Sequence, residues 1–345
     1  MLKLSFILPC YNVAPYFGRC IESIEHQDIP QSEYEVICVD DYSKDNTVEV
    51  VKEYQKQYPN IRLICHKVNK TAGGARNTGI DAAKGEYIWC VDPDDSIREN
   101  CLGYLLSRAE QMQLDILLFN LTRKKEDRVE IRGDFTHQTQ NCAFTGVEYI
   151  ETQCAPRYIY SVASHTSCLY RRDFLEKKHI RYPEIRAAQD VVFVWNAMFT
   201  AQKVSAINDV CYYVIRRDDS TTGRKGRFAA QAILSQSILF AYEVLGLYQQ
   251  FSELGPIMTT SLQNAIRYAL NIDSRNVLYA SRSEQEKFYN LLQQNEEKID
   301  MLQFYMNRKT KQLFAYQKPY CIWHWQIYAY WVVNILKRRS SLLYE

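Results

Sequence analysis

The first hundred residues alternate short apolar runs with amphipathic stretches. Residues 4–8 (LSFIL), 35–39 (EVICV), 61–65 (IRLIC) and 87–91 (YIWCV) are short and mostly apolar, and they read as buried strands. Between them, apolar positions recur at helical spacing. Tyr16, Phe17, Cys20, Ile21 and Ile24 form one stripe, with Pro15 where a first helical turn tolerates it. Val48, Val51, Tyr54 and Tyr58 form a second, with Asp45 or Ser43 placed to cap it. A third helix is expected from near Gly74 to near Ala83. This alternation predicts an α/β fold, a mostly parallel sheet with helices on both faces. Beyond residue 100 the pattern is less regular: residues 115–120 and 165–170 read as strands, and from Phe228 onward the pattern is helical.

Ligands of such sheets bind beyond the carboxyl ends of the strands, and the chain gathers polar residues there. Pro9, Cys10, Tyr11 and Asn12 follow the first strand, and Asp40, Asp41, Tyr42 and Ser43 the second. Asn69, Gly73, Gly74, Arg76 and Asn77 follow the third, and Asp92, Pro93, Asp94 and Asp95 the fourth. Three carboxylates at a buried strand tip call for a cation. In an extended segment, side chains at i and i+2 share a face, so Asp92 and Asp94 can converge on one ion. Aspartates titrate near ~4 and offer hard oxygens, which suit Mg²⁺ or Mn²⁺ and leave coordination positions for phosphate. An acidic turn opened by Pro93 is the plain alternative for that motif alone. Taken together, the loops match a nucleoside diphosphate. Tyr11 can stack on a base, Asp41 can accept from a base edge, and Arg76 can pair with phosphate or hold the acidic loops in place.

Composition narrows the classes. The 345 residues are 24% charged and 47% hydrophobic, a globular chain long enough for one large domain with an extension or for two domains. A net charge of +2 argues against a general nucleic-acid binder. Residues 301–345 are nonetheless basic, with seven Lys/Arg against the single acid Glu345. The eleven cysteines are scattered, with no C-x-x-C pair and several inside apolar runs. They read as reduced, buried thiols of a cytoplasmic protein, not as a disulfide framework or a zinc site. The chain enters its first strand at once, so no signal peptide is expected. Pro9 stands where a G-x-G-x-x-G turn would begin, and no G-x-x-x-x-G-K-[ST] occurs, which excludes a dinucleotide-binding domain and a P-loop.

Four stretches, FILPCYN (6–12), VDDYSKD (39–45), GARNTGI (74–80) and KGEYIWCVDPDD (84–95), resemble in order and spacing the nucleotide-sugar half of the family 2 glycosyltransferases. The resemblance implies a GT-A fold over residues 1–225, with a donor half (1–98) and an acceptor half (99–225), and a helical region over 226–345. It implies that Pro9, Tyr11 and Asp41 line the nucleoside pocket and that Arg76 supports the diphosphate. Asp92 and Asp94 would form the D-x-D metal element with Asp95 beside it, holding Mn²⁺ or Mg²⁺.

Residues 187–195 (AAQDVVFVW) place Asp190 at the start of an expected helix, where an acid is also an ordinary N-cap. The resembling family carries an acidic pair here whose second member is the catalytic base, which points to Asp190. Gln189 replaces the first acid and keeps its shape without its charge. Residues 211–222 (CYYVIRRDDSTT) resemble a closing strand and basic loop, where Arg216 or Arg217 could meet the diphosphate or form a solvated turn with Asp218 and Asp219.

The expected activity is metal-dependent, inverting transfer from a nucleoside-diphosphate sugar, UDP-sugar favoured, to a hydroxyl of a glycan or lipid-linked acceptor in cell-surface polysaccharide synthesis. A non-catalytic nucleotide-sugar or glycan-binding relative is the alternative, motivated by Gln189. A sugar nucleotidyltransferase would need a glycine-rich, arginine-bearing loop after the first strand, and none is visible. Between Lys318 and Lys337 lie 18 residues without Asp, Glu, Lys or Arg, rich in Trp and Tyr. With their basic flank, residues 319–339 suit a helix lying in a membrane interface, on the inner face of the cell membrane; a core- or partner-facing helix and a spanning helix are the alternatives.

Overall fold

Strand β1 (Leu4–Cys10) is buried along its entire length, as an interior strand covered on both faces must be. The computed structural model describes residues 2–125, 128–131, 142–153, 164–215, 236–251, 254–279, 282–306 and 310–311. The chain divides into two compact units, Met1–Arg217 and Asp218–Glu345.

In the first unit, α1 (Ala14–Glu25) follows β1 and buries Phe17, Cys20, Ile21 and Ile24, most of the stripe read from the sequence. β2 (Tyr34–Asp40), α2 (Thr47–Gln57), β3 (Ile61–Cys65), α3 (Thr71–Ala82) and β4 (Tyr87–Cys90) continue the alternation. Asp45 serves two helix starts. Its Oδ1 accepts from the Thr47 amide of α2 at 3.1 Å, and its Oδ2 accepts from the Ala14 amide of α1 at 3.3 Å. α3 begins a turn earlier than the glycine pair suggested. Gly79 brings α3 onto β1, where any Cβ would collide with the Ile7 side chain.

β5 (Ser96–Ile97), α4 (Leu102–Met112), β6 (Ile116–Lys125), β7 (Arg128–Ile131), α5 (Gly146–Gln153), β8 (Cys168–Arg171), α6 (Arg172–Lys177), α7 (Gln189–Thr200) and β9 (Val204–Ile215) complete the unit. The sheet order is β3-β2-β1-β4-β8-β6-β9-β5, with β7 on β6. β1 pairs in parallel with β2 and β4, and β2 with β3. β8 runs antiparallel to both β4 and β6. The result is the mixed, mostly parallel sheet flanked by helices that the resemblance implied. Residues 165–170, read as one strand, form a short 3₁₀ turn (His165–Ser167) before β8 begins at Cys168. Trp89 of β4 fixes that turn by donating Nε1–H to the Thr166 carbonyl at 2.7 Å.

The second unit is helical where it is described: α8 (Gln236–Gln250), α9 (Pro256–Tyr279), α10 (Arg282–Gln294) and α11 (Glu296–Leu302). α8 packs against α9 and α11. Among the described residues no helix is long and apolar enough to cross a membrane. The proposed interfacial segment 319–339 and Arg216 and Arg217 lie outside the described residues. Nine described cysteines carry free thiols, and seven of them are buried.

Candidate active site

The carboxyl ends of β1, β2 and β4 lie together at one edge of the sheet, and the loops that follow carry strained backbone. Asn12, Tyr42 and Thr71, after β1, β2 and β3, have φ of 54°, 69° and 69°, and Ala188, just before α7, has φ of 58°. L-residues in this left-handed region carry a steric penalty, and such positions cluster at functional sites. The loops are laced together. Asn12 donates its amide to Ser43 Oγ at 3.0 Å and accepts from the Lys44 amide at 2.7 Å.

Pro9 sits in β1 opposite Val39, and Tyr11, just after β1, has about half of its surface exposed (47%), free to stack. Asp41 is buried and already engaged. Its Oδ1 accepts from the Lys70 amide at 2.7 Å and lies 2.8 Å from Nδ1 of His66, whose Nε2 lies 2.9 Å from Thr78 Oγ1. Its backbone carbonyl accepts from Asn69 Nδ2 at 3.0 Å.

Beyond β4 the chain turns. The Asp95 amide donates to the Asp92 carbonyl at 3.0 Å, so residues 92–95 do not continue as an extended ribbon. The simple i, i+2 argument therefore does not describe this backbone, and the three carboxylates meet different fates. Asp92 Oδ1 accepts from Arg76 Nη2 at 2.6 Å. Burial would raise the Asp92 carboxyl, but the Arg76 guanidinium and then His165 outweigh it and hold the group well below the usual carboxylate range. Asp94 is half-buried, and its carbonyl accepts from Arg19 Nη2 at 2.6 Å. Asp95 is buried and bonded to β9. Its carboxylate accepts from Tyr212 Oη at 2.8 Å and from the Ile215 amide at 2.8 Å. Burial, then the charges of Asp92 and Asp94, push it up to about 8.

No group of three or more His, Cys, Asp and Glu among the described residues is arranged to hold a metal. What the tip offers is two partly accessible hard carboxylates, Asp92 and Asp94, with Asp95 behind them. That donor chemistry fits a Mg²⁺ or Mn²⁺ ion that takes its remaining oxygens from phosphate and water; it does not form an all-protein cage.

Asp190 lies in the first turn of α7 as its second residue, and Ala188 is the N-cap, so Asp190 is not the cap. Its Oδ2 is 3.8 Å from His165 Nδ1, and His165 Nε2 is 3.8 Å from Asp92 Oδ1. Burial would raise the Asp190 carboxyl; His165 and then Arg76 outweigh it and lower it, with Asp92 opposing. Asp190 is therefore a carboxylate at neutral pH, able to accept a proton. Gln189 is buried against α3, where a Cβ on Gly73 would meet Gln189 Cγ at 3.3 Å and the Pro183 carbonyl at 3.2 Å. The missing side chain at Gly73 is what lets this loop approach α3.

The structure thus brings Arg76, Asp92 and Asp190 together around His165. Sequence reading missed His165, Tyr182 and Tyr212. Tyr182 stacks on Phe193 of α7 at 3.9 Å, meets His165 edge-on at 5.8 Å, and carries Arg76 Cζ 5.3 Å from its ring centroid. Lone aromatic or imidazole residues beside apolar runs have no spacing signature. The only signal for Tyr182 was its place ahead of the Gln189–Asp190 pair.

The sequence profile of "Glycosyl transferase family 2" matches residues 5–178. A poly(ribitol-phosphate) beta-glucosyltransferase of Bacillus spizizenii is 32% identical over 220 residues, which are 63% of this chain and 33% of that protein. The chain thus spans about a third of that relative's length. Staphylococcus aureus TarS 1-349, solved with UDP-GlcNAc, has a TM-score of 0.62 at 22% identity, covering 98% of this chain and 92% of that one. The mannosyltransferase PcManGT of Pyrobaculum calidifontis, solved with GDP-Man and Mn²⁺, has a TM-score of 0.51 at 16% identity, covering 91% of this chain and 84% of that one. The fold is shared with both structures and is the GT-A fold expected from the sequence.

Proposed function

Since this chain belongs to glycosyl transferase family 2, we propose that it transfers a sugar from a UDP-sugar to a hydroxyl of a glycan or lipid-linked acceptor in cell-surface polymer synthesis. The observation that carries the reading is the Arg76–Asp92–His165–Asp190 cluster, which joins a phosphate-matching end to a carboxylate able to act as a base. The choice of UDP is supported by the UDP-GlcNAc complex of the structural neighbour, and an extracellular polymer by the poly(ribitol-phosphate) activity named for the sequence relative.

Asp190 accepts the acceptor's hydroxyl proton as that oxygen attacks the anomeric carbon, and a single displacement of this kind inverts the centre. Tyr11 stacks on the base, while Asp41 and Pro9 line its pocket. Arg76 keeps Asp92 ionised and adds positive potential beside the diphosphate. Asp92 and Asp94 would hold a divalent cation that offsets charge on the departing diphosphate. Arg216 would add a further cation beside the diphosphate.

Nucleotide release tests the proposal. UDP-, GDP-, dTDP- and CMP-sugars are incubated with and without acceptor glycans and Mn²⁺. Acceptor-dependent release of UDP is expected. Nucleotide binding by thermal shift with no turnover on any acceptor would instead favour the non-catalytic reading that Gln189 motivates.

A further inference from the structure

His165 lies within 3.8 Å of both ends of the cluster, Asp190 and Asp92. Its turn is pinned by Trp89 Nε1 on the Thr166 carbonyl and by a 2.8 Å contact between Ser164 Oγ and Thr166 Oγ1. Tyr182 fixes the ring edge-on, and Phe193 of α7 in turn holds Tyr182 flat. The ring is 5% exposed, yet neither nitrogen has a partner within hydrogen-bond distance. A buried polar group left in that condition costs about 1–3 kcal/mol. Hydrogen bonding does not account for an imidazole here; what the ring meets are two carboxylates, each at ion-pair distance.

Each nitrogen faces a carboxylate across 3.8 Å, Nδ1 toward Asp190 Oδ2 and Nε2 toward Asp92 Oδ1. Those gaps exceed a hydrogen bond by less than ~1 Å. Catalytic hydrogen bonds are often long without substrate and tighten in the reacting complex. We propose that His165 is a positioning residue for the base: its Nδ1–H closes onto Asp190 Oδ2 when donor and acceptor are bound, and leaves Oδ1 aimed at the acceptor hydroxyl. Nε2, beside Asp92, registers the base against the diphosphate end, so that the attacking and departing oxygens stay in line. This role rests on the proposed transferase reading, with Asp190 as base.

Amide substitutions separate the two nitrogens. The amide N–H of Asn can stand in for Nδ1–H, and that of Gln for Nε2–H. Wild type, His165→Asn, His165→Gln and His165→Leu are compared for kcat and donor KM, with UDP thermal shifts as the control for folding and donor binding. His165→Leu and His165→Gln are expected to lose about 100-fold in kcat, the scale of misplacing a reacting group by ~1 Å. His165→Asn is expected to recover most of that loss, and donor KM and the UDP shift to stay near wild type in all three. Equal kcat losses in the Asn and Leu variants, or a loss confined to donor KM, would overturn the role. If the Leu variant does not fold, the contrast between Asn and Gln decides the matter by itself. A wild-type protein that turns over no donor, or a fully active Asp190→Asn, would instead overturn the transferase reading or its base, an outcome read from different samples.

Discussion

Arg76 Nη2 donates to Asp92 Oδ1 at 2.6 Å while its guanidinium carbon lies 5.3 Å from the centroid of the Tyr182 ring. One side chain thus ties α3 to the β4 tip and to the loop that leads into α7. Losing one partner of a fully buried ion pair costs about 3–5 kcal/mol. Asp92 keeps about a third of its side-chain surface in solvent (32%), so Arg76→Met is expected to lose about 2–3 kcal/mol in urea unfolding. Arg76→Lys keeps the charge but not the guanidinium that lies over Tyr182, and should lose UDP affinity even where stability is largely kept. A stable Arg76→Met that binds UDP like wild type would contradict this assignment.

The tip carboxylates should separate by experiment. Asp94→Ala is expected to abolish the Mn²⁺-dependent part of the UDP thermal shift, because it removes one of two partly accessible oxygen donors. Asp95→Asn removes a carboxylate that burial and its neighbours already disfavour. Its amide oxygen can still accept from the Ile215 N–H, and its NH2 can donate to Tyr212 Oη where the second carboxylate oxygen stood. Without metal, at about pH 8, this variant should melt no lower than wild type. The sign follows from linkage: a raised folded pKa means that stability falls as pH rises from the unfolded value near ~4 toward about 8. If Asp95→Asn loses the Mn²⁺-dependent shift as completely as Asp94→Ala, Asp95 is itself a ligand, as the motif first suggested.

Much of this site was legible because local rules governed it. The four apolar runs became strands, and the polar residues after them fell at one edge because parallel strands share a carboxyl end. Asp190 and Arg76 were singled out through motifs, and the structure brings both into the cluster around His165. The turn at Pro93 is the plain alternative that the sequence offered for this motif, and the i, i+2 argument failed because it assumes an extended chain. His165 escaped, because it arrives through the antiparallel β8, inserted between β4 and β6 by tertiary pairing that no local period encodes. The start of α3 was misjudged for a related reason. Thr71 opens the helix with φ of 69°, a conformation that its β-branched side chain gave no reason to expect.

Ala188 has φ of 58° and ψ of 20° immediately before Gln189 and Asp190. Left-handed backbone penalises a Cβ by about 1–2 kcal/mol, and glycine returns part of that as unfolded-state entropy. Ala188→Gly is therefore expected to stabilise the protein by about 0.5–1 kcal/mol in urea unfolding, and Ala188→Val to destabilise it by more than ~1 kcal/mol. A stabilising valine would mean that the loop relaxes readily and that α7 is not held by this conformation.

Asp190 should also set the acid limit of the reaction. His165 and Arg76 lower its carboxyl against the opposing effect of burial, so the base stays ionised throughout the neutral range. Loss of the base form then begins only below the ordinary aspartate value of ~3.9. The associated stability is present above that unfolded value and is lost as pH falls through the lowered folded one. The kcat profile for transfer is therefore expected to show no acid limb from this group between about pH 5 and 7. Asp190→Asn should cut kcat by about 10²–10⁴-fold at every pH in that window, with UDP binding retained. An Asp190→Asn variant that keeps wild-type kcat across this window would remove Asp190 from that role.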